Sequence, residues 1–182
     1  MPFPVRISQI ATVLFLLLGP AAAAEAGVRS IVVPVGGMTC PLCVRGVEES
    51  IRRLDGVGNV VADLATGMVR VEAAEGQSLS VQQVKDGVAR AGFRVAGEPD
   101  LRADGRFFIG PQGRITFRIQ GATTTYRVLE GNEMQRFFKA HPRADGEFLV
   151  GFRLHDHPKW KPAAIAIVSF EPVPATAPQA KR

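Results

Sequence analysis

Over residues 29–97 the hydrophobic period alternates between about 2 and about 3.6, and the order of those changes limits the folds open to the segment. Residues 29–35 (RSIVVPV) are rich in β-branched side chains and read as a strand. Between Leu42 and Leu54, Val44, Val47, Ile51 and Leu54 recur at helical spacing, while Arg45, Glu48, Glu49, Arg52 and Arg53 take the other face. Asp55 and Gly56 end that helix. Residues 57–64 and 68–73 read as two strands around the turn Ala65-Thr66-Gly67. Ser80 and Gln83 form a capping box ahead of Val81, Val84 and Val88, which share one helical face. Gly92 stops this second helix, and residues 93–95 begin a last strand. Strand, helix, strand, strand, helix, strand is the ferredoxin-like βαββαβ order, so this part of the chain is α+β.

The chain has two cysteines, Cys40 and Cys43, spaced C-x-x-C before the first helix. A bridge across two intervening residues closes too small a loop to add much stability. The pair is therefore better explained by chemistry at the sulfurs. Cys43 falls in the first helical turn and Cys40 just before it, where unpaired N–H groups and the helix dipole favour thiolate over thiol. Two soft thiolates suit Cu(I) or Hg(II). Zn(II) or Cd(II) would fit less well, because two protein ligands leave a tetrahedral ion short. A plain exported disulfide and a thioredoxin-like oxidoreductase use the same spacing. Against the latter, no Trp precedes Cys40, and the longer parallel-sheet layout of such enzymes is missing.

The run Gly37-Met38-Thr39-Cys40-Pro41-Leu42-Cys43 resembles the G-M-T-C-x-x-C signature of heavy-metal-associated domains. Val47, Gly56-Val57 and Ala91-Gly92-Phe93 agree with the family's pattern downstream, and the resemblance covers about residues 30–97. It implies a ferredoxin-like fold with metal ligands at Cys40 and Cys43 alone. It also implies that Met38, whose thioether is soft enough to tempt a ligand assignment, anchors the loop in the core. Phe93 matches a place that lies beside the cysteine loop in this family.

Residues 1–24 have the layout of a secretory signal peptide. A single Arg6 precedes the apolar run of residues 7–18, Gly19-Pro20 follows, and Ala21 to Ala24 offer a cleavage site, with Ala26 the alternative. The apolar run is short for a bilayer span, so no stable membrane anchor is expected after cleavage and the mature chain is expected to be periplasmic or secreted. With that leader, the resemblance is to periplasmic mercury- and copper-binding proteins.

The formal net charge is +5. Residues 27–97 carry eight basic and seven acidic side chains, and residues 98–175 carry eleven and nine. Basic charge is spread thinly along the chain, which argues against nucleic acid as a partner.

Residues 98–103 (EPDLRA) read as a polar linker containing Pro99. Residues 104–171 then read as three strands, a helix with Met134, Phe137 and Phe138 at helical spacing, and two further strands. This is the order of a small OB-like β-barrel, and it carries no residue motif that pins a family. Residues 172–182 (PVPATAPQAKR) are expected to be a disordered tail. His155-Asp156-His157 and Trp160 fall in a polar loop between the last two strands; two imidazoles without a third ligand make a poor metal site, and one aromatic makes a poor stacking platform.

The expectation is an exported, non-enzymatic binder of a soft metal ion, Cu(I) or Hg(II), for trafficking, scavenging or delivery to a metal transporter or cuproprotein. The alternatives are a thiol-disulfide oxidoreductase using the same cysteines, and a metal-responsive interaction protein acting through the barrel.

Overall fold

The computed structural model of the chain describes residues 27–155 and 161–173. The expected signal peptide, most of the tail, and Asp156, His157 and Trp160 lie outside the described residues.

The first module runs β1 (Val28–Gly36), α1 (Pro41–Arg52), β2 (Val57–Ala62), β3 (Met68–Ala73), α2 (Val81–Arg90) and β4 (Arg94–Val95). Its strands lie in the order β2-β3-β1-β4, all neighbours antiparallel, as a ferredoxin-like βαββαβ unit requires. The sequence pattern accounts for the packing. Val47 and Ile51 of α1 and Val84 and Val88 of α2 are buried, and so are alternate residues of the sheet: Ile31, Val33, Val69 and Val71. The Ser80 side chain accepts the Gln83 N–H and caps α2.

The second module runs β5 (Asp100–Ile109), β6 (Ile115–Ile119), β7 (Thr125–Val128), α3 (Asn132–Ala140), β8 (Phe148–His155) and β9 (Ala164–Pro172). Pairing passes from β5 to β6, β7, β9 and β8, then returns to β5; β7–β9 is the parallel pair in this circuit. Inside it sits an aromatic cluster. The buried Phe137 of α3 has ring centroids 4.4 Å from Phe107, 4.8 Å from Phe148 and 5.1 Å from Phe170.

The expected linker at 98–103 is corrected by the structure. From Asp100 the chain is already β5, hydrogen-bonded to β1 through Asp100↔Val32, Leu101↔Ile31 and Arg102↔Ser30, and to β8 through Asp100↔Arg153. Pro99, Leu101 and Ala103 are buried, so the segment alternates like a strand. Its polar residues are satisfied at the surface by ion pairs: Asp100 with Arg153 at 2.8 Å and Arg102 with Glu171 at 3.0 Å. The second module thus begins at Asp100 rather than 104, and one continuous sheet joins it to the first.

A β-bulge marks this junction. The register steps from Val28↔Ala103 to Ser30↔Arg102, leaving Arg29 unpaired in the ladder. Its guanidinium lies 2.5 Å from Asp104, the one buried charged residue among the described residues. That hydrogen bond raises the Arg29 pKa above its ordinary value.

Candidate metal centre

The β1–α1 loop and its anchors place the cysteines. The Val35 N–H donates to the Gly67 carbonyl at 2.8 Å, tying the end of β1 to the β2–β3 turn. Gly37 follows with φ +91, a left-handed conformation that a side chain would strain. Met38 is 7% exposed, its side chain turned into the core, so it anchors the loop. Thr39 returns the chain to the surface, and Cys40 takes extended backbone angles as the N-cap of α1.

Pro41 occupies the start of the helix, where its missing N–H costs nothing. The Cys40 Sγ accepts the Cys43 N–H at 3.2 Å, and the Cys40 carbonyl accepts the N–H groups of Cys43 at 3.0 Å and Val44 at 3.3 Å. Both sulfurs therefore sit at the positive end of α1, where negative charge on sulfur is favoured. Both cysteines are half-buried, and Leu42 between them is 74% exposed. The two are joined in a disulfide, with Cα atoms 5.2 Å apart.

Phe93 stands next to this loop, as its position predicts. A β-carbon at Gly37 would lie 3.8 Å from Phe93 Cδ1, and the Phe93 N–H donates to the Val88 carbonyl at 3.1 Å. The ring is half-buried, covering one side of the loop.

Among the described residues no group of three His, Cys, Asp or Glu side chains is placed to hold a metal. The described histidines, His141 and His155, are used otherwise. His141 packs at the end of α3 against Phe137 and Phe148, with ring centroids 5.3 and 5.0 Å away. His155 Nδ1 lies 2.7 Å from Glu98 Oε1. That contact was invisible in the sequence, because 57 residues separate the partners.

Residues 32–94 match the family described as the heavy-metal-associated domain. The copper chaperone CopZ of Bacillus subtilis (strain 168) is 39% identical over 62 residues, which are 34% of this chain and 88% of the relative. CopZ of Staphylococcus haemolyticus (strain JCSC1435) is 36% identical over 64 residues, 35% of this chain and 93% of the relative. A solved structure titled CopZ metallochaperone shares 30% identity and covers 37% of this chain and 98% of its own, with a TM-score of 0.34. The family match lies in the first module, the part that carries Gly37-Met38-Thr39-Cys40 and Cys43 at the head of α1. Through that module the chain belongs to the heavy-metal-associated domain family.

Proposed function

We propose that Cys40 and Cys43, once reduced, bind a single soft metal ion as cargo, Cu(I) foremost and Hg(II) next, and that the chain carries the ion to a transporter or cuproprotein without catalysing a reaction. One observation carries this reading: both sulfurs are half-exposed at the start of α1, with no third protein ligand beside them among the described residues. A two-sulfur site suits ions that accept two near-linear thiolates, and it leaves room for an incoming thiolate to add before one leaves. The names of the CopZ relatives favour copper. A dithiol reductant must first deliver two electrons and two protons to the Cys40–Cys43 disulfide. Residues 1–24 are read as an export leader, giving a periplasmic or secreted carrier, and the five-strand circuit of the second module as an OB-like barrel.

The test is competition. Reduced protein titrated with Cu(I) against a chelator is expected to take one ion per chain, and the Cys40→Ser, Cys43→Ser double variant none. Equal affinity in that variant would end the proposal.

The disulfide itself favours a second reading, thiol–disulfide exchange through Cys40. Catalytic turnover of a reducible disulfide substrate, abolished in the same double variant, would replace the first reading with this one.

A further inference from the structure

Strand pairing gathers basic charge that is thin along the chain. In the β5–β6 hairpin Arg106 lies directly opposite Arg118, and Phe108 opposite Thr116. Their neighbours Phe107 and Phe117 are buried, so these residues form the outward face. Arg114 is exposed where the hairpin turns, its carbonyl accepting the Gly110 N–H at 2.8 Å.

Like charges directly opposite each other destabilise a sheet. Glu147, 3.5 Å from Arg106, offsets one of them. Among the described residues Arg114 and Arg118 have no carboxylate within ion-pair distance; Arg118 instead sits over the Phe108 ring, 4.8 Å from its centroid. Phe108 is 42% exposed and Ile109 52%. Shallow depressions flank Phe108, one bordered by Arg106 and Arg118, the other by Pro111 and Arg114.

We propose that this face binds an extended acidic segment of a partner polypeptide, its carboxylates on Arg106, Arg118 and Arg114 and its apolar side chains beside Phe108. Guanidinium groups pair carboxylates in a planar, two-pronged fashion. An extended peptide presents every second side chain to one face, so acidic and apolar residues that alternate within that set, as in a Glu-Ser-Leu-Ser repeat, would meet arginines and apolar surface together. Single-stranded nucleic acid fits less well: successive bases need successive stacking surfaces, and this face has one exposed ring. The surface shares no residue with the cysteine site, so the proposal does not depend on metal binding.

The test uses the whole protein and a fluorescein-labelled peptide of about twelve residues with the repeat Glu-Ser-Leu-Ser, followed by anisotropy at low salt. Binding is expected, weakened about tenfold or more in the Arg106→Gln, Arg118→Gln double variant and weakened by added salt. Arg114→Gln should give a smaller loss, providing a second reading if the double variant fails to fold. Absence of binding, or equal binding of a Lys-Ser-Leu-Ser repeat peptide, would overturn the proposal. Tighter binding of an oligothymidylate of similar length would also overturn it and assign the face to nucleic acid.

Discussion

The first module is filled with short, mostly β-branched chains, among them Ile31, Val33, Val47, Val69, Val71 and Val88, all fully buried. The second is filled with rings, Phe117, Phe137 and Phe152 being its largest fully buried side chains. Stiff β-branched residues pack well on a pleated sheet and need only local patterning to find their places. Rings touch many partners at once, and those here come from β5, β6, α3, β8 and β9. The modules also differ in where their reactive groups lie. In the first, two sulfurs are raised at a helix start by a loop pinned through Met38. In the second, the buried rings offer only packing and the outward arginines carry the charge. A module is recognised from sequence when its chemistry sits in a contiguous motif, and the second module has none.

The largest expected effect tests whether two such different cores unfold together. Phe137→Ala should cost about 3–5 kcal/mol. Because β5 is hydrogen-bonded into both modules, denaturant unfolding followed by circular dichroism should stay a single transition. Two separated transitions would show that the shared sheet does not couple them.

The junction should respond asymmetrically. Arg29→Ala strands the buried Asp104 carboxylate and should cost roughly 2–3 kcal/mol, whereas Asp104→Ala leaves a half-exposed Arg29 that water can solvate and should cost less than about 1 kcal/mol. Equal losses in urea titrations would mean that the pair, rather than the desolvated carboxylate, sets the energy.

Phe93→Ala, at a half-buried ring, should cost about 1–2 kcal/mol. On the metal-carrier reading it should leave stoichiometry unchanged while speeding transfer to a competing thiol, since one wall of the loop is gone. Unchanged exchange kinetics in the folded variant would remove the ring from any guarding role.

The smallest effect is one of pH. The Thr66 hydroxyl and the Ala65 N–H donate to Asp63 and hold its carboxyl below its ordinary value. A depressed carboxyl contributes stability that is complete above the unfolded value and disappears as pH falls through the folded one. Acidification through that range should lower the protection factor of the Ala65 amide in the β2–β3 turn, and Asp63→Asn should remove that dependence on pH. A protection factor that stays constant with pH in the parent would contradict this.

How much was legible in advance follows the same division. In the first module, helical spacing through Val47 and Ile51, the Ser80–Gln83 cap and the Gly37–Cys43 run gave order, boundaries and candidate site, because each of these signals lies within a single short stretch of chain. In the second, strand and helix order was readable from alternation in 115–119 and 148–152, though β8 runs on to His155. The start was not: Pro99, Asp100 and Arg102 obscured the period of Leu101 and Ala103, and pairing with Val32 and Arg153 is a long-range fact that composition does not carry. The Arg106–Arg118 juxtaposition was hidden for the same reason. Sequence separation spread apart charges that the hairpin sets side by side.

The hydrogen-bonded passage from β1 into β5 also fixes how anything can engage both modules. Two sites joined by a flexible tether meet a shared partner at an effective concentration set by tether length, and almost any spacing is tolerated at some cost. Here the tether has no length, since Asp100 already pairs with Val32. A partner whose two contact points match the spacing imposed by the sheet gains nearly the full benefit of bivalency, and one whose points are differently spaced gains none.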